Sequence, residues 1–185
     1  VGGTVNNAGQ ILTPGGTSAL VAGDKVTVNL GLTGLVSVDV EGGSTAARVD
    51  NSGLIAADGG KVLLTAKSAA PMLASAVNQS GSVRANSIGS RNGEIWIEAT
   101  GGDARLAGTT QAAGLAAGEK GGRIVVTGDQ VSLAAGSTVD ASGRVVQAGQ
   151  ALDGAGTGGL GAEHWYAWNG TNISRDLGIL DAGGM

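Results

Sequence analysis

GGKVLLTA, from Gly59 to Ala66, is the stretch that decides the fold, because its pattern returns as NGEIWIEA (Asn92 to Ala99) and GGRIVVTG (Gly121 to Gly128). Each copy follows a turn ending in Gly with strict apolar alternation, which marks a strand with one buried face. Alignment on Gly60, Gly93 and Gly122 superimposes Val62, Ile95 and Ile124, then Leu64, Ile97 and Val126, then the small residues Ala66, Ala99 and Gly128. The opposite face carries Lys61, Glu94 and Arg123, an outward stack of alternating sign. Copies spaced 33 and then 29 residues apart are too close to be separate domains. They predict a solenoid, in which equivalent side chains of successive repeats form ladders.

A second element precedes these strands. VNNAGQI (Val5 to Ile11), VDNSGLI (Val49 to Ile55) and VNQSGSV (Val77 to Val83) share an apolar start, polar residues, Gly and an apolar close. Gly9 to Gly53 is a step of 44 residues, as is Gly15 to Gly59, and 44 divides into two coils of about 22. Asp24 to Gly43 is then expected to be the intervening coil, with Gly31 and Gly34 separating its two alternating strands. TQAAGLA (Thr110 to Ala116) and VDASGRV (Val139 to Val145) extend the element, placing Ile11, Ile55, Val83, Ala116 and Val145 in one inward ladder. Asn7, Asn51 and Gln79 fall at the bend, where stacked amides can hydrogen-bond to one another.

The totals agree with a narrow stacked column. The core must be built without Phe or Cys, both absent, so Val, Ile, Leu and Ala fill it. The 36 glycines show no every-third period, which excludes a collagen helix. A net charge of −4 and the lack of a basic run argue against nucleic acid as partner. No apolar run approaches the ~18–20 residues of a membrane span. VGGTVNN at the start and DAGGM at the end read as cut points in something longer.

The expected architecture is an all-β solenoid of seven to eight coils, with a short helical excursion at 67–77 (KSAAPMLASAV) as the best helix candidate, an irregular loop being its rival; Gly114 and the repeat match oppose a helix at Gln111 to Gly118. Residues 1–145 form the coils. Residues 146–185 hold a Gly-rich turn region (Gly149 to Gly161) and an aromatic segment, HWYAW, as a last coil or cap of the same domain. Ile173 to Met185 supplies one further strand.

The run VDNSGLIAADGGKVLLTAKSA, then VNQSGSVRA, NGEIWIEA, GGRIVVTGD and STVDASG, resembles the filamentous haemagglutinin family, two-partner-secreted exoproteins of Gram-negative bacteria. The resemblance covers about Val5 to Val145. It implies a right-handed parallel β-helix within a fibrous adhesin, secreted to the cell surface or extracellular matrix. It also implies an outer-membrane transporter as export partner, a host receptor or polysaccharide as target, and self-association into fibres. The family's N-terminal secretion module, with its N-P-N-G-type motifs, has no counterpart here, so no secretion residues are carried over.

A catalytic site on such a scaffold requires carboxylates converging from neighbouring coils. Asp39, Glu41, Glu94 and Glu98 are the candidates for a polysaccharide lyase or hydrolase. Glu94 and Glu98 lie four residues apart on one strand, about 13 Å, with Lys61 and Arg123 flanking Glu94. A structural ion ladder explains that better than catalysis. No Ca²⁺-loop spacing is found, and no cofactor is implied. Trp165, Tyr166 and Trp168, with His164 beside them, are best explained as a cap or inter-coil packing at the solenoid end, the alternative being flat faces that contact a glycan. Trp96 points outward beside Leu63 and Val125, an apolar stripe for a partner or for the covering segment 67–77.

Overall fold

The computed structural model describes residues 1–30, 36–69 and 76–143, together with the backbone of four strand segments beyond them. The chain is all-β, and no helix occurs among the described residues. The first repeat comprises β1 (Thr4–Asn7), β2 (Gln10–Leu12) and β3 (Thr17–Ala22), followed by β4 (Lys25–Leu30) and β5 (Val36–Gly42). The second holds β6 (Arg48–Asn51), β7 (Leu54–Ala56) and β8 (Lys61–Lys67). The third holds β9 (Val77–Gln79), β10 (Ser82–Arg84) and β11 (Glu94–Thr100), and the fourth β12 (Ala104–Leu106), β13 (Thr109–Gln111) and β14 (Arg123–Thr127). Then come β15 (Val131–Leu133), β16 (Thr138–Asp140), β17 (Val145–Gln147), β18 (Gln150–Leu152), β19 (Tyr166–Trp168) and β20 (Ile173–Asp176).

Strands one repeat apart pair in parallel, so three sheets arise. Sheet I runs β1-β6-β9-β12-β15, sheet II β2-β7-β10-β13-β16, and sheet III β3-β8-β11-β14 continued by β19 and β20. The described residues therefore build four repeats of three strands and a fifth that holds β15 and β16, where seven or eight coils were expected for the whole chain. At about 4.8 Å per strand they stack to roughly 20 Å.

The ladders fall where alternation puts them. In sheet III Val62 pairs with Ile95 and Ile95 with Ile124, and Leu64, Ile97 and Val126 form the next row. Val62, Leu64, Ile95 and Ile97 are fully buried. Sheet I stacks Val5, Val49, Val77, Ala104 and Val131. Sheet II stacks Ile11, Ile55, Val83, Thr110 and Val139. Small and β-branched side chains suit this column because each must fit between copies of itself about 4.8 Å above and below.

Two expectations of register need correction. The ladder of Ile11, Ile55 and Val83 continues through Thr110 and Val139, not Ala116 and Val145. The reason lies in the backbone: Gly9, Gly53, Gly81 and Gly108 form a column in which a Cβ on Gly81 would stand 2.1 Å from the Gly53 oxygen, and one on Gly108 1.9 Å from that of Gly81. Gly108 is the next member of that column and Gly114 is not. The residues from Gly114 to Gly121 instead form a longer connection into β14.

Asp24 to Gly43 is not a coil either. β4 and β5 form an antiparallel hairpin in which Val26 faces Val40 and Val28 faces Val38. Lys25 with Glu41, and Asn29 with Asp39, pair across it. The offset from Asn7 to Asn51 is 44 residues and from Asn51 to Gln79 28, so the long first step is one repeat with a hairpin inserted, not two coils. The hairpin leaves sheet III at Gly23 and rejoins beside β8, where Lys67 Nζ donates to the Val40 and Glu41 carbonyls.

Lys67 closes β8 and Val77 opens β9; between them, residues 70–75 of the expected helical excursion lie outside the described residues. Gln150–Leu152, expected within the Gly-rich turn region, is a strand paired antiparallel with β17. A strand lies at Ile173–Asp176, paired antiparallel with β19, whereas Leu177, Ile179 and Leu180, the apolar residues on which the further strand was expected, lie outside the described residues.

Candidate functional site

Two polar ladders occupy the corners between sheets. At the bend from sheet I to sheet II, Asn7 Nδ2 donates to Asn51 Oδ1 at 2.7 Å and Asn51 Nδ2 to Gln79 Oε1 at 2.7 Å. Gln79 Nε2 then donates to the carbonyls of Gly81 (3.0 Å) and Thr109 (2.9 Å). Leu106 takes the next place, so the amides end on backbone oxygens. At the bend from sheet II to sheet III, Arg84 holds Asp58, Asn86 Nδ2 donates to Gln111 Oε1 at 3.2 Å, and Gln111 Nε2 to Asp140 Oδ2 at 3.1 Å. Burial pushes the Asp140 carboxyl up, but hydrogen bonds from Ser142 and Gln111 outweigh it, leaving the group below its ordinary value. These ladders satisfy bends that would otherwise bury unpaired polar groups; they are structural.

The outer face of sheet III concentrates the exposed chemistry. Pairing places Ala19, Leu63, Trp96 and Val125 in one row, as alternation predicts. Leu63 is buried and Trp96 half-buried. Lys61 Nζ lies 4.9 Å from the centre of the Trp96 ring and Arg123 Cζ 4.8 Å. The two cations come from strands on either side of β11, so they cover the ring from its two neighbours. Trp96 Nε1 donates to Glu94 Oε2 at 3.1 Å, and Lys61 Nζ lies 3.8 Å from the same oxygen. The sequence reading missed this arrangement. Its signal was present: Lys61 and Arg123 are diagonal neighbours of Trp96, within reach of a long side chain.

A shallow groove of about 360 Å³ opens beside this cluster, lined by Asn92, Gly93, Glu94, Gly121, Gly122 and Arg123. The four candidate carboxylates do not converge on it. Asp39 and Glu41 lie on the β4–β5 hairpin, where the Lys25 ammonium and the Thr27 hydroxyl hold the Glu41 carboxyl below its usual value. Glu98 Oε2 accepts from Thr65 Oγ1 at 3.4 Å. Glu94 alone borders the groove. Nearby, Glu119 accepts from the amides of Gly89 and Ala116, which lower its carboxyl and clamp two connections together. Among the described residues no cluster of His, Asp or Glu could hold a metal ion.

His164 and Trp165 lie outside the described residues. Tyr166 and Trp168 belong to β19, and Trp168 pairs with Thr127, so the backbone of the aromatic segment adds a strand to the same sheet that carries Trp96. Neither a scan against protein-family models nor a comparison with curated proteins gives a match to this chain.

Proposed function

We propose that the three sheets are the faces of a right-handed parallel β-helix, and that the chain is a structural and adhesive segment of a secreted bacterial surface or matrix fibre. In this reading it is a filamentous haemagglutinin-like exoprotein segment with no catalytic role, exported through an outer-membrane transporter. The observation that carries the reading is the unbroken register from repeat to repeat, Val49 on Val77 on Ala104 on Val131. Such a column is stiff because each strand is hydrogen-bonded above and below, while the outward positions are free to vary. Adhesive fibres need both properties: a rod for reach and an outer face for contact with a receptor or polysaccharide.

The test displays the chain on a bacterium that lacks surface fibres and measures attachment to host cells and to polysaccharide-coated surfaces. Attachment above that of an unrelated displayed domain of similar size is the expected result. No gain on any surface, with folded protein verified by protease resistance, would overturn the adhesive role. Turnover of an acidic polysaccharide that is lost in Glu94→Gln would replace it with an enzymatic one.

A further inference from the structure

The ion ladder on sheet III leaves one cation over. Glu94 is engaged by Lys61 and by the Trp96 N–H, whereas Arg123 makes no ion pair among the described residues. The Arg123 guanidinium lies over the Trp96 ring at 4.8 Å while the residue remains exposed. A guanidinium held over a ring face keeps N–H donors available for a ligand. Arg123 lines the groove, and three of its six lining residues are glycines. Gly93 cannot acquire a side chain, since a Cβ there would stand 1.5 Å from the Ala85 oxygen, so bare backbone persists in the floor. Exposed Arg91 and Lys120 adjoin the lining residues Asn92 and Gly121 in sequence. The Arg91 guanidinium lies instead beside Gly15 in the first repeat, so the cations at this corner are Lys61 and Arg123, set against Glu94.

We infer that the groove beside Arg123 is a subsite for the carboxylate of an acidic polysaccharide, taking one uronate unit at a time. The inference rests on the adhesive reading above and names its ligand class. A planar carboxylate matches the edge of a guanidinium through two parallel N–H···O bonds. The volume lies at the low end of ligand pockets, suited to a single sugar ring. Asn92 and Glu94 supply the amide and the acceptor that sugar hydroxyls require. A neutral sugar is disfavoured, because Lys61 and Arg123 already cover the Trp96 ring on which it would stack.

The experiment measures retention of the folded chain on immobilised polygalacturonate, dextran sulfate and dextran at about 0.1 M salt, where charged contacts are only partly screened. Polygalacturonate is expected to retain it and dextran not. Arg123→Gln should lower retention at least tenfold, and Arg123→Lys, which keeps the charge but not the paired donors, several-fold. Arg105→Gln, an equal charge change on the outer face of sheet I, should lower it less than twofold. Melting temperatures are recorded for each variant. If Arg123→Gln melts early, Asn92→Ala on the exposed lip carries the test, with a several-fold loss expected. Equal losses at Arg105 and Arg123 would overturn the subsite in favour of diffuse charge. So would absent retention on polygalacturonate, or retention on dextran sulfate that is insensitive to Arg123. Attachment that persists undiminished in Arg123→Gln would remove the subsite and leave the adhesive role standing. Arg123-dependent retention without attachment would do the reverse.

Discussion

Replacing Asn51 with Ala tests whether the buried amides hold the bend together. Asn51 is fully buried, accepts from Asn7 and donates to Gln79, both at 2.7 Å. Truncation leaves Gln79 Oε1 without its donor in a dry interior, at a cost of about 1–3 kcal/mol. Asn7 Nδ2 loses its acceptor too, but keeps a long contact to the Leu54 carbonyl at 3.4 Å and some solvent exposure, so its loss lies at the low end, about 1 kcal/mol. The missing amide volume adds about 1 kcal/mol. The sum, roughly 3–5 kcal/mol, is a large part of a typical domain stability of about 5–15 kcal/mol. The chain contains its own control. The fourth repeat places Leu106 at this position, so Asn51→Leu combined with Gln79→Leu extends an apolar ladder and removes both partners together. The double variant should cost less than Asn51→Ala, about 1–2 kcal/mol, because no buried Gln79 amide is orphaned and only the Asn7 donor loses its side-chain partner. Urea unfolding followed by circular dichroism gives both values, provided the slope is unchanged. A cost below 1 kcal/mol for Asn51→Ala, or a double variant no better than the sum of its single changes, would refute the argument.

Thr110 stands in the ladder of Ile55, Val83 and Val139, fully buried and with no partner for its hydroxyl. Thr110→Val should therefore stabilise the chain by about 1 kcal/mol, and a lower urea midpoint would contradict that. Gly81→Ala would drive a Cβ to 2.1 Å from the Gly53 oxygen, so it should lower the melting temperature far more than Gly118→Ala, whose Cβ meets nothing within 4 Å although its φ is +79°. Asp140 has a carboxyl held below its ordinary value. Its contribution is present above the unfolded value of about 3.9 and is lost as the pH falls through the lower folded value. In Asp140→Asn the loss of stability below pH 4 should be shallower, as measured by urea midpoints across that range. An unchanged slope would show that Asp140 plays no part in it.

How much of this was legible beforehand follows from which residues carry period-two information. The rows through Val62, Ile95 and Ile124 were readable because alternation fixes the inward face and a one-residue slip would turn the whole set outward. The bend amides were readable because Asn7, Asn51 and Gln79 keep one place relative to a following Gly. The fourth repeat was misaligned because its bend is worn: Leu106 replaces the amide, so Gly114 competed with Gly108 as the column glycine. The true discriminator is backbone proximity, which no single-sequence pattern states. The hairpin was mistaken for a coil because antiparallel and parallel strands share the same alternation. What distinguishes them is cross-strand complementarity, Lys25 with Glu41 and Asn29 with Asp39, and these pairs were in view. The cation pair around Trp96 depends on diagonal contacts between strands about 30 residues apart, legible only once the register is known.

That dependence bears on why the proposed subsite falls at one corner of such a fold. Inward positions are constrained by their neighbours above and below, and the bends by glycine columns and amide ladders. Outer-face positions are constrained only by like rows, and a row of alternating charge satisfies itself. Thr17, Lys61, Glu94 and Arg123 form such a row, which among the described residues ends at β14 with a cation. Fixing that cation takes an aromatic surface one diagonal away, and Trp96 supplies it. If this logic holds, the Arg123–Trp96 contact has a measurable coupling. A double-mutant cycle of Arg123→Gln and Trp96→Leu should give about 0.5–1 kcal/mol, as for cation–π contacts at exposed sites. The corresponding cycle with Lys61 should be confounded by Glu94, whose carboxylate loses both its ammonium and its indole donor. A coupling near zero for Arg123 would mean that the guanidinium is not held over the ring, and the pre-set edge it offers to a carboxylate would vanish with it.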